Sequence, residues 1–424
     1  MLRNLGEKYS PLYFLGSLGL GGMATFFFMI FMFITPHPET PIPVFESIVD
    51  TWAVSGAGMK ALIVIAYIGQ ALFVIAHISL LVWNLREFSA FKQTEAYNKL
   101  RNSNAAVTLM AVPLTLAMAV NGMFVTGATM VPGLWGVIEY LLPPAVVVFA
   151  AIGLYAMSIY GHFLRNVLNG KFSFEANNGL NQLLAAFSFA MSGVGMAAGA
   201  AMSKNMATAA LAFAGSMFFA TISVMIIAVM LPLGFKSIMR YGLNPANSAT
   251  LWLPVPIITL LAVTFIRNSH GAGFFEATRT GVSSDLSIMT AVVFTIALSL
   301  QVIFFLIGHT LMKDNGFYND YVMTKKHQSP VAFTMVCPGV ALGVLGFFGL
   351  HAGLVANGIV AMFSTVYFVL MAIIWTIQIA TIALIVILLK NQIFRGNDDA
   401  VEQAEVSVET VLVNTEREKV EATA

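Results

Sequence analysis

Ten segments of this chain are long and apolar enough to cross a lipid bilayer, which takes roughly 20 residues each. They lie near 13–35, 59–85, 105–127, 135–163, 180–202, 207–235, 249–266, 286–312, 330–355 and 358–389. Only 10% of the residues are charged, against about a quarter in a soluble domain. Because lipid cannot satisfy backbone polar groups, such segments form helices. The sequence therefore predicts an all-α polytopic membrane protein with ten transmembrane helices.

The ten segments divide the chain into three parts. Residues 1–12 are expected to form a cytoplasmic N-terminus, and 13–390 the ten-helix transmembrane domain. The tail, 391–424, is rich in Glu and poor in apolar residues, so we expect it to be mobile. The first apolar segment is too long for a signal-peptide core and no small-residue cleavage site precedes the next polar stretch, which predicts that it is retained.

Basic residues are distributed unequally between the two sides of the membrane. With ten crossings both chain ends share one side, and 17 of the 21 Lys and Arg residues fall on that side. The other four are Lys60, Lys204, Arg267 and Arg279. By the positive-inside rule, both termini are predicted to be cytoplasmic, in a multi-pass protein of the cytoplasmic (inner or plasma) membrane.

The ten segments form five pairs that resemble one another in spacing. The first helix of each pair starts near residue 13, 105, 180, 249 or 330, at intervals of roughly 70 to 90 residues. We call these five the outgoing helices and their partners the returning helices. The spacing predicts five quasi-repeated hairpins.

Residues that disfavour helices concentrate in the outgoing helices. They are Gly16, Gly19, Gly21, Gly22, Pro113, Gly193, Gly195, Gly199, Pro254, Pro256 and Pro338. Pro338 lies inside an uncharged segment, where its ring would crowd the carbonyl of Thr334 and break the helix. Broken backbone at membrane depth is tolerated where it is buried in protein or lines a water-filled cavity. We therefore predict an inner ring of outgoing helices around a central pore, the alternative being that these residues serve helix packing alone.

The predicted spans contain almost no ionisable side chains. Glu139 lies near the outer end of the fourth, and no Asp, Lys or Arg falls in a span interior. The absence of a buried carboxylate relay disfavours a proton-driven antiporter. The path is expected to be lined by backbone, small side chains, Ser, Thr, Asn121 and aromatic rings. Free amides at an interrupted helix would favour an anion weakly, and weak binding suits rapid conduction.

Three histidines, His77, His162 and His309, are placed near the cytoplasmic ends of returning helices. Haem or metal ligation by such a set would require facing helices around one cavity, so we favour the capping of helix ends. The single cysteine, Cys337, excludes an intrachain disulfide and a cysteine-ligated iron–sulfur cluster. No phosphate-binding glycine loop, nucleophile elbow or zinc spacing is present. We expect no cofactor, no metal and no enzymatic activity.

Three stretches resemble the tellurite-resistance/dicarboxylate transporter family, which includes the bacterial tellurite-resistance channel homologue and the slow anion channel of plant guard cells. They are YFLGSLGLGG (13–22), FSFEANNGLNQLLAAFSFAMSG (172–193) and NPANSATLWLPVPIITL (244–260), each in or entering an outgoing helix. With the helix spacing, the resemblance covers roughly residues 10–390. It implies ten helices as five hairpins, a pore lined by the odd-numbered helices, a homotrimer in which each subunit has its own pore, and transport of small anions, with no nucleic-acid partner.

The resemblance also bears on the gate. In channel members of the family a phenylalanine on the ninth helix plugs the pore. Alignment on Pro338 places Cys337 at that position, with Phe333 one helical turn earlier. Either Phe333 plugs the pore from a lower level or the gate is different.

The leading functional prediction is an anion channel or uniporter for a small inorganic or carboxylate anion. The predicted pore and gate residues are Phe14, Gly16, Gly19, Pro113, Asn121, Gly193, Gly195, Pro254, Pro256, Phe333, Cys337 and Pro338. The alternative is a coupled transporter or exporter of a C4-dicarboxylate, sulfite or related oxyanion on the same scaffold. A third interpretation, a redox or haem protein using the histidines, would give a coloured preparation.

Overall fold

The computed structural model describes residues 1–173, 178–280, 287–324 and 329–394. Within these ranges the regular structure is entirely helical, and ten segments are long and apolar enough to cross a membrane. The prediction of an all-α polytopic membrane protein is confirmed. The predicted tail lies outside the described residues from 395 onward.

The spanning helices form five sequential pairs. The outgoing helices are α1 (Phe14–Ile34), α5 (Ala111–Met130), α7 (Leu183–Met202), α9 (Pro254–Thr280) and α11 (Val336–Phe348). The returning helices are α3 (Ala57–Phe91), α6 (Ile138–Asn166), α8 (Met206–Tyr241), α10 (Ser287–Asp314) and α12 (Thr365–Gln392). Two short helices, α2 (Phe45–Val54) and α4 (Glu95–Arg101), lie in connections between the spanning helices.

The outgoing helices form the inner ring of the molecule. Between 67% and 89% of the residues in their apolar windows are buried, against 22% to 33% in the returning helices. The returning helices instead expose large apolar side chains such as Leu72 and Ile75 of α3, as a surface toward lipid would. This arrangement confirms the predicted inner ring enclosed by the returning helices.

The two ends of the described chain meet. The amide of Leu2 donates to the carbonyl of Ile393, with N and O 2.8 Å apart. We call this end of the bundle, where the outgoing helices begin, the terminal end, and the opposite one the distal end. The assignment of the terminal end to the cytoplasm stays a prediction.

The predicted break of the outgoing helices is a change of helix type. A 3-10 segment precedes four of them: Pro11–Tyr13, Asn104–Met110, Pro245–Trp252 and Pro330–Met335. Before α7 the same pattern appears as bonds from the amides of Leu183 and Leu184 to the carbonyls of Leu180 and Asn181. Hydrogen bonding of the 3-10 type therefore precedes the outgoing α-helix in all five hairpins, which agrees with the predicted quasi-repeat.

The prolines accordingly lie in the first turns of α-helices. Pro254 begins α9, and Pro113 and Pro338 are third in α5 and α11. Proline is tolerated there because an N–H in the first turn lacks an intrahelical partner anyway. The predicted mid-helix break at Pro338 is therefore wrong, since Thr334, whose carbonyl the ring was expected to crowd, belongs to the 3-10 segment.

The predicted free amides at these junctions are wrong as well. The amide of Leu253 donates to the carbonyl of Thr250 at 3.0 Å, and that of Val336 donates to the carbonyl of Phe333. Because the 3-10 segment supplies acceptors to the α-helix that follows, no cluster of unpaired donors remains at these two positions to attract an anion.

Helix α9 is longer than the seventh apolar segment predicted. It continues to Thr280, so Arg267 lies inside a helix, whereas the apolar segment was predicted to end near residue 266. The spanning segment that includes α9 extends to Gly273. The expectation that no Arg occupies a span is therefore wrong. Residues 281–286 lie outside the described residues.

Buried polar side chains of the returning helices bind the backbone of the outgoing helices. Gln378 of α12 donates to the carbonyl of Gly339 at 2.6 Å, and Gln301 of α10 to that of Val255 at 3.0 Å. Ser216 of α8 donates to the carbonyl of Gly193 at 2.8 Å. Hydrogen bonds between buried helices fix the register of the two rings.

We predict that Gly343→Ala destabilises the protein. A Cβ at Gly343 would overlap the amide of Gln378 and displace it from the carbonyl of Gly339, and overpacking of this kind costs about 1 to 3 kcal/mol. The thermal unfolding midpoint in detergent is expected to fall. The control is Gly122→Ala in α5, where a Cβ meets nothing within 4 Å and the midpoint should hold or rise. Equal midpoints for the two variants would contradict the prediction.

Candidate functional site: a central cavity and a distal vestibule

A cavity of about 200 Å³ lies between the five outgoing helices. Its lining residues recur at helical spacing on each of them. Examples are Leu18, Gly22 and Met29 of α1; Met118, Asn121 and Val125 of α5; Phe187, Met191, Ala198 and Met202 of α7; Pro256, Val263 and Arg267 of α9; and Cys337, Val340, Val344 and Phe348 of α11. One face of every outgoing helix thus contributes to a single chamber, which we call the central cavity.

The walls of the central cavity are mostly apolar. The uncharged polar groups are Thr25, Asn121 and Thr259, together with the thiol of Cys337. The two threonine hydroxyls donate to carbonyls of their own helices, Thr25 to Gly21 and Thr259 to Val255, at 3.3 Å each. The side chains that line the cavity include no acidic residue and one basic residue, Arg267. A solute in the cavity therefore meets weak dipoles and a single positive charge.

A second cavity, of about 510 Å³, adjoins the first toward the distal end, and we call it the distal vestibule. It is lined by Met32, Phe33, Pro41, Ala201, Val263, Ile266, Arg267, His270, Thr290, Phe294, Phe348, Ala352 and Ala356. Three of these, Val263, Arg267 and Phe348, also line the central cavity. Their side chains therefore form the boundary between the two cavities.

Phe348 is the aromatic member of that boundary. Its ring stacks on Phe294 of α10 and meets the edge of Phe33 in α1, with centroids 5.4 Å apart in both pairs. A π-helical turn, Gly349–Val355, follows it directly. Such turns are less regular than α-helix and recur at functional sites.

Phe333 lies in the 3-10 segment before α11, toward the terminal end from the cavity residue Cys337. This fully buried side chain is one helical turn before Cys337. Its ring packs against the backbone of Gly16, where a Cβ would come within 3.1 Å of it, and its centroid is 6.4 Å from that of Tyr13. Phe333 itself does not line the cavity.

The structure separates the predicted pore residues into two sets. Those that line the central cavity are Gly19, Asn121, Pro256 and Cys337. Those that do not are Phe14, Gly16, Pro113, Gly193, Gly195, Pro254, Phe333 and Pro338. Their parts in conduction stay predictions.

The predicted residues that do not line the cavity pack the inner ring against its neighbours. Phe14 meets the edge of Phe88 in α3, with centroids 5.9 Å apart. Gly193 lies against the backbone of α8, and Gly195 against the ring of Phe149 in α6. Small residues let helices approach closely, so at Gly193 and Gly195 the packing alternative accounts for the glycines.

Arg267, His270 and Phe348 were missed by the sequence reasoning. The run of polar residues from Arg267 to His270 ended the apolar window, although the helix continues. A signal was present: Pro256, Val263 and Arg267 follow one another at intervals that keep them on one face of a helix. Extending that face past the apolar window would have placed Arg267 beside the pore.

Two of the three histidines, His77 and His309, have separate surroundings. His77 lies in the interior of α3, where its Nδ1 is 2.7 Å from the carbonyl oxygen of Ser17, so the prediction that it caps a helix end is wrong. Nδ1 of His309 is 2.8 Å from the hydroxyl of Tyr318. Among the side chains that the structure describes, no group of three or more His, Cys, Asp or Glu could hold a metal ion.

Comparisons with protein-family models, with characterised proteins and with solved structures found no match to this chain. The resemblance to the tellurite-resistance/dicarboxylate transporters therefore stays a prediction that rests on the three sequence stretches. What the structure defines is a ten-helix membrane protein of the transporter or channel class with a cavity enclosed by alternate helices.

The single cysteine allows the geometry of the central cavity to be tested directly. Because the Cys337 thiol is buried and faces the cavity, a small methanethiosulfonate reagent should label it in the folded protein, whereas a bulky polyethylene-glycol maleimide should not. Unfolding in detergent should expose it to both. Mass spectrometry and gel shift measure labelling, and Cys337→Ala supplies the unlabelled control. Rapid reaction of the folded protein with the bulky maleimide would place the thiol outside the cavity.

Proposed function

We propose that this protein is an anion channel or uniporter that passes a small inorganic or carboxylate anion through the space between its outgoing helices. The observation that carries the proposal is the central cavity, whose lining includes Arg267 and no acidic side chain. A cation in this space would meet a positive charge with no carboxylate to offset it. An anion would be attracted at the same point.

The weak polarity of the central cavity's walls supports conduction of an anion rather than its tight binding. Asn121 is held loosely, by a contact of 3.5 Å from its Nδ2 to the sulfur of Met191, and the cavity threonines already donate to their own helices. An anion would therefore gain few strong bonds along most of the path. Conduction requires binding that is favourable enough for a solute to enter and weak enough for it to leave.

A second candidate, a coupled transporter of a C4-dicarboxylate, sulfite or related oxyanion, is favoured by the aromatic boundary on the distal side of the cavity. Phe348 stands between the central cavity and the distal vestibule, and Phe333 packs against Gly16 without lining the cavity. A side chain that separates two cavities is what alternating access requires of a gate on one side of its site.

The proposal includes a membrane setting and an assembly. The excess of basic residues on the side of the termini supports cytoplasmic termini in the cytoplasmic membrane, by the positive-inside rule. The homotrimer rests on the family resemblance alone. Crosslinking in native membranes would test the number of subunits.

Recording of currents from the reconstituted protein tests the proposal. With chloride, nitrate or succinate as the only permeant anion and an impermeant cation, we expect currents whose reversal potential follows the anion gradient. A linear current without saturation at low concentration indicates a channel, and saturable flux that depends on a proton gradient indicates the coupled transporter. Empty liposomes are the control. Currents that follow the cation gradient, or no flux of any of these anions, would refute the proposal.

We predict that Phe333→Ala raises anion flux in proteoliposomes severalfold. Removal of the ring opens space next to Gly16, one helical turn before Cys337, and Phe333 is the residue proposed to block the way toward the terminal end. The matched control is Phe347→Ala, which removes a fully buried ring from α11, one that packs on Phe26 and lines neither cavity. Unchanged flux in Phe333→Ala would remove Phe333 from the role of plug.

A further inference from the structure

Helix α9 brings two nitrogen-bearing side chains to the distal vestibule. Arg267 and His270 are three residues apart, which places them on neighbouring positions of one helix face. Both line the vestibule, and Arg267 also lines the central cavity. A solute that moves between the two cavities must therefore pass the guanidinium group.

Arg267 has no protein partner in the described part of the chain. It forms no hydrogen bond or ion pair there, and the one ion pair among the described residues joins Lys99 and Glu95 in α4. A guanidinium group offers five N–H donors in a fixed plane and does not lose its charge. An unpaired cation inside a spanning segment is costly and is a marker of function.

The walls around this pair strengthen its field. Phe33, Phe294 and Phe348 contribute aromatic rings to the vestibule, and no acidic side chain lines it. Low-dielectric walls increase the effect of a fixed charge and raise the local concentration of ions of opposite sign. Thr290, which carries a hydroxyl group, also lines the vestibule.

We propose that Arg267, with His270 beside it, forms the capture site for a small oxyanion of the carboxylate type. This inference rests on the proposed function and names its substrate class. The planar fork of arginine can donate two parallel hydrogen bonds to the two oxygens of a carboxylate, which a lysine cannot do. A halide presents no second oxygen to the fork. The site therefore favours carboxylates and similar oxyanions over chloride.

The position of Arg267 also indicates the point of transport at which it acts. Because Arg267 belongs to both cavities, an oxyanion bound there stands beside Phe348, at the boundary it has to cross. Capture at the guanidinium brings the anion out of the vestibule, and the uncharged walls beyond, with Asn121 and Thr259, hold it only weakly. Arg267 is thus the residue that determines selectivity, and the central cavity is the path.

Two substitutions of Arg267 distinguish the effect of its positive charge from the effect of its planar guanidinium geometry. Arg267→Gln removes the charge, and we expect succinate current and succinate affinity to fall by about tenfold or more, as the loss of a charge-assisted pair of hydrogen bonds implies. Arg267→Lys keeps the charge, so chloride current should hold within about twofold while the preference for succinate over chloride is lost. The control is Arg279→Gln, an exposed arginine in the last turn of the same helix that lines neither cavity.

Equilibrium binding distinguishes failure of this inference from failure of the proposed function. Succinate and chloride are titrated against detergent-purified wild type, Arg267→Gln and Arg279→Gln, and thermal stabilisation is measured. Succinate should stabilise wild type and Arg279→Gln at concentrations at which it leaves Arg267→Gln unchanged. Equal stabilisation of all three, or none of the wild type, would overturn the capture site even if anion currents are present. Selective stabilisation without current would support the site and refute conduction.

Discussion

Every backbone amide and carbonyl at membrane depth needs a partner within the protein, and this constraint shapes the inner ring. Each outgoing helix begins with 3-10 hydrogen bonding and continues as an α-helix, so the bonding pattern shifts by one residue at the junction. At this kind of junction one carbonyl accepts from two successive amides, so the backbone donors remain paired through the change. Gln301 and Gln378, from two different returning helices, donate to carbonyls at Val255 and Gly339 just beyond the junctions of α9 and α11. The outer ring thus adds side-chain hydrogen bonds to the backbone of the inner one, and these bonds give a buried partner to glutamines in helices that otherwise face lipid.

The same constraint explains how far the sequence predicts this structure. The ten spans, the five hairpins and the burial of the outgoing helices follow from hydrophobicity and from the positions of Pro and Gly, because both signals are local in the chain. The type of discontinuity did not follow. A proline inside an apolar segment indicates that an N–H is missing, but it does not show whether the preceding residues are α-helical or 3-10 helical, and Pro338 is compatible with either.

Arg267 shows a second limit of what the sequence predicts. Apolar windows identify the part of a helix that lipid or protein covers, and a helix that emerges into a polar cavity leaves such a window while remaining continuous. The window near 249–266 ended one residue before the side chain that gives the central cavity its charge. The sequence could therefore predict that Asn121 and Cys337 face a space between the outgoing helices, and both line the central cavity, but the one charged residue of its lining depends on the tertiary position of the distal end of α9. Phe348 depends likewise on the packing of α1 and α10 around it.

Phe333 and Phe348 differ in their surroundings, and this difference bears on the proposed function. Phe333 sits in a 3-10 segment against the backbone of Gly16, with Tyr13 beside it, so its displacement would require space in a region that is fully packed. Phe348 lines both cavities while its ring packs between Phe294 and Phe33, and the π-helical turn that follows it bonds its backbone less regularly than an α-helix does. Displacement of Phe348 would enlarge the connection between the central cavity and the vestibule, whereas displacement of Phe333 would require α1 to separate from the 3-10 segment that precedes α11. Under the proposed function, displacement of both aromatic side chains at the same time would give the continuous path of a channel, whereas displacement of one at a time corresponds to an alternating carrier.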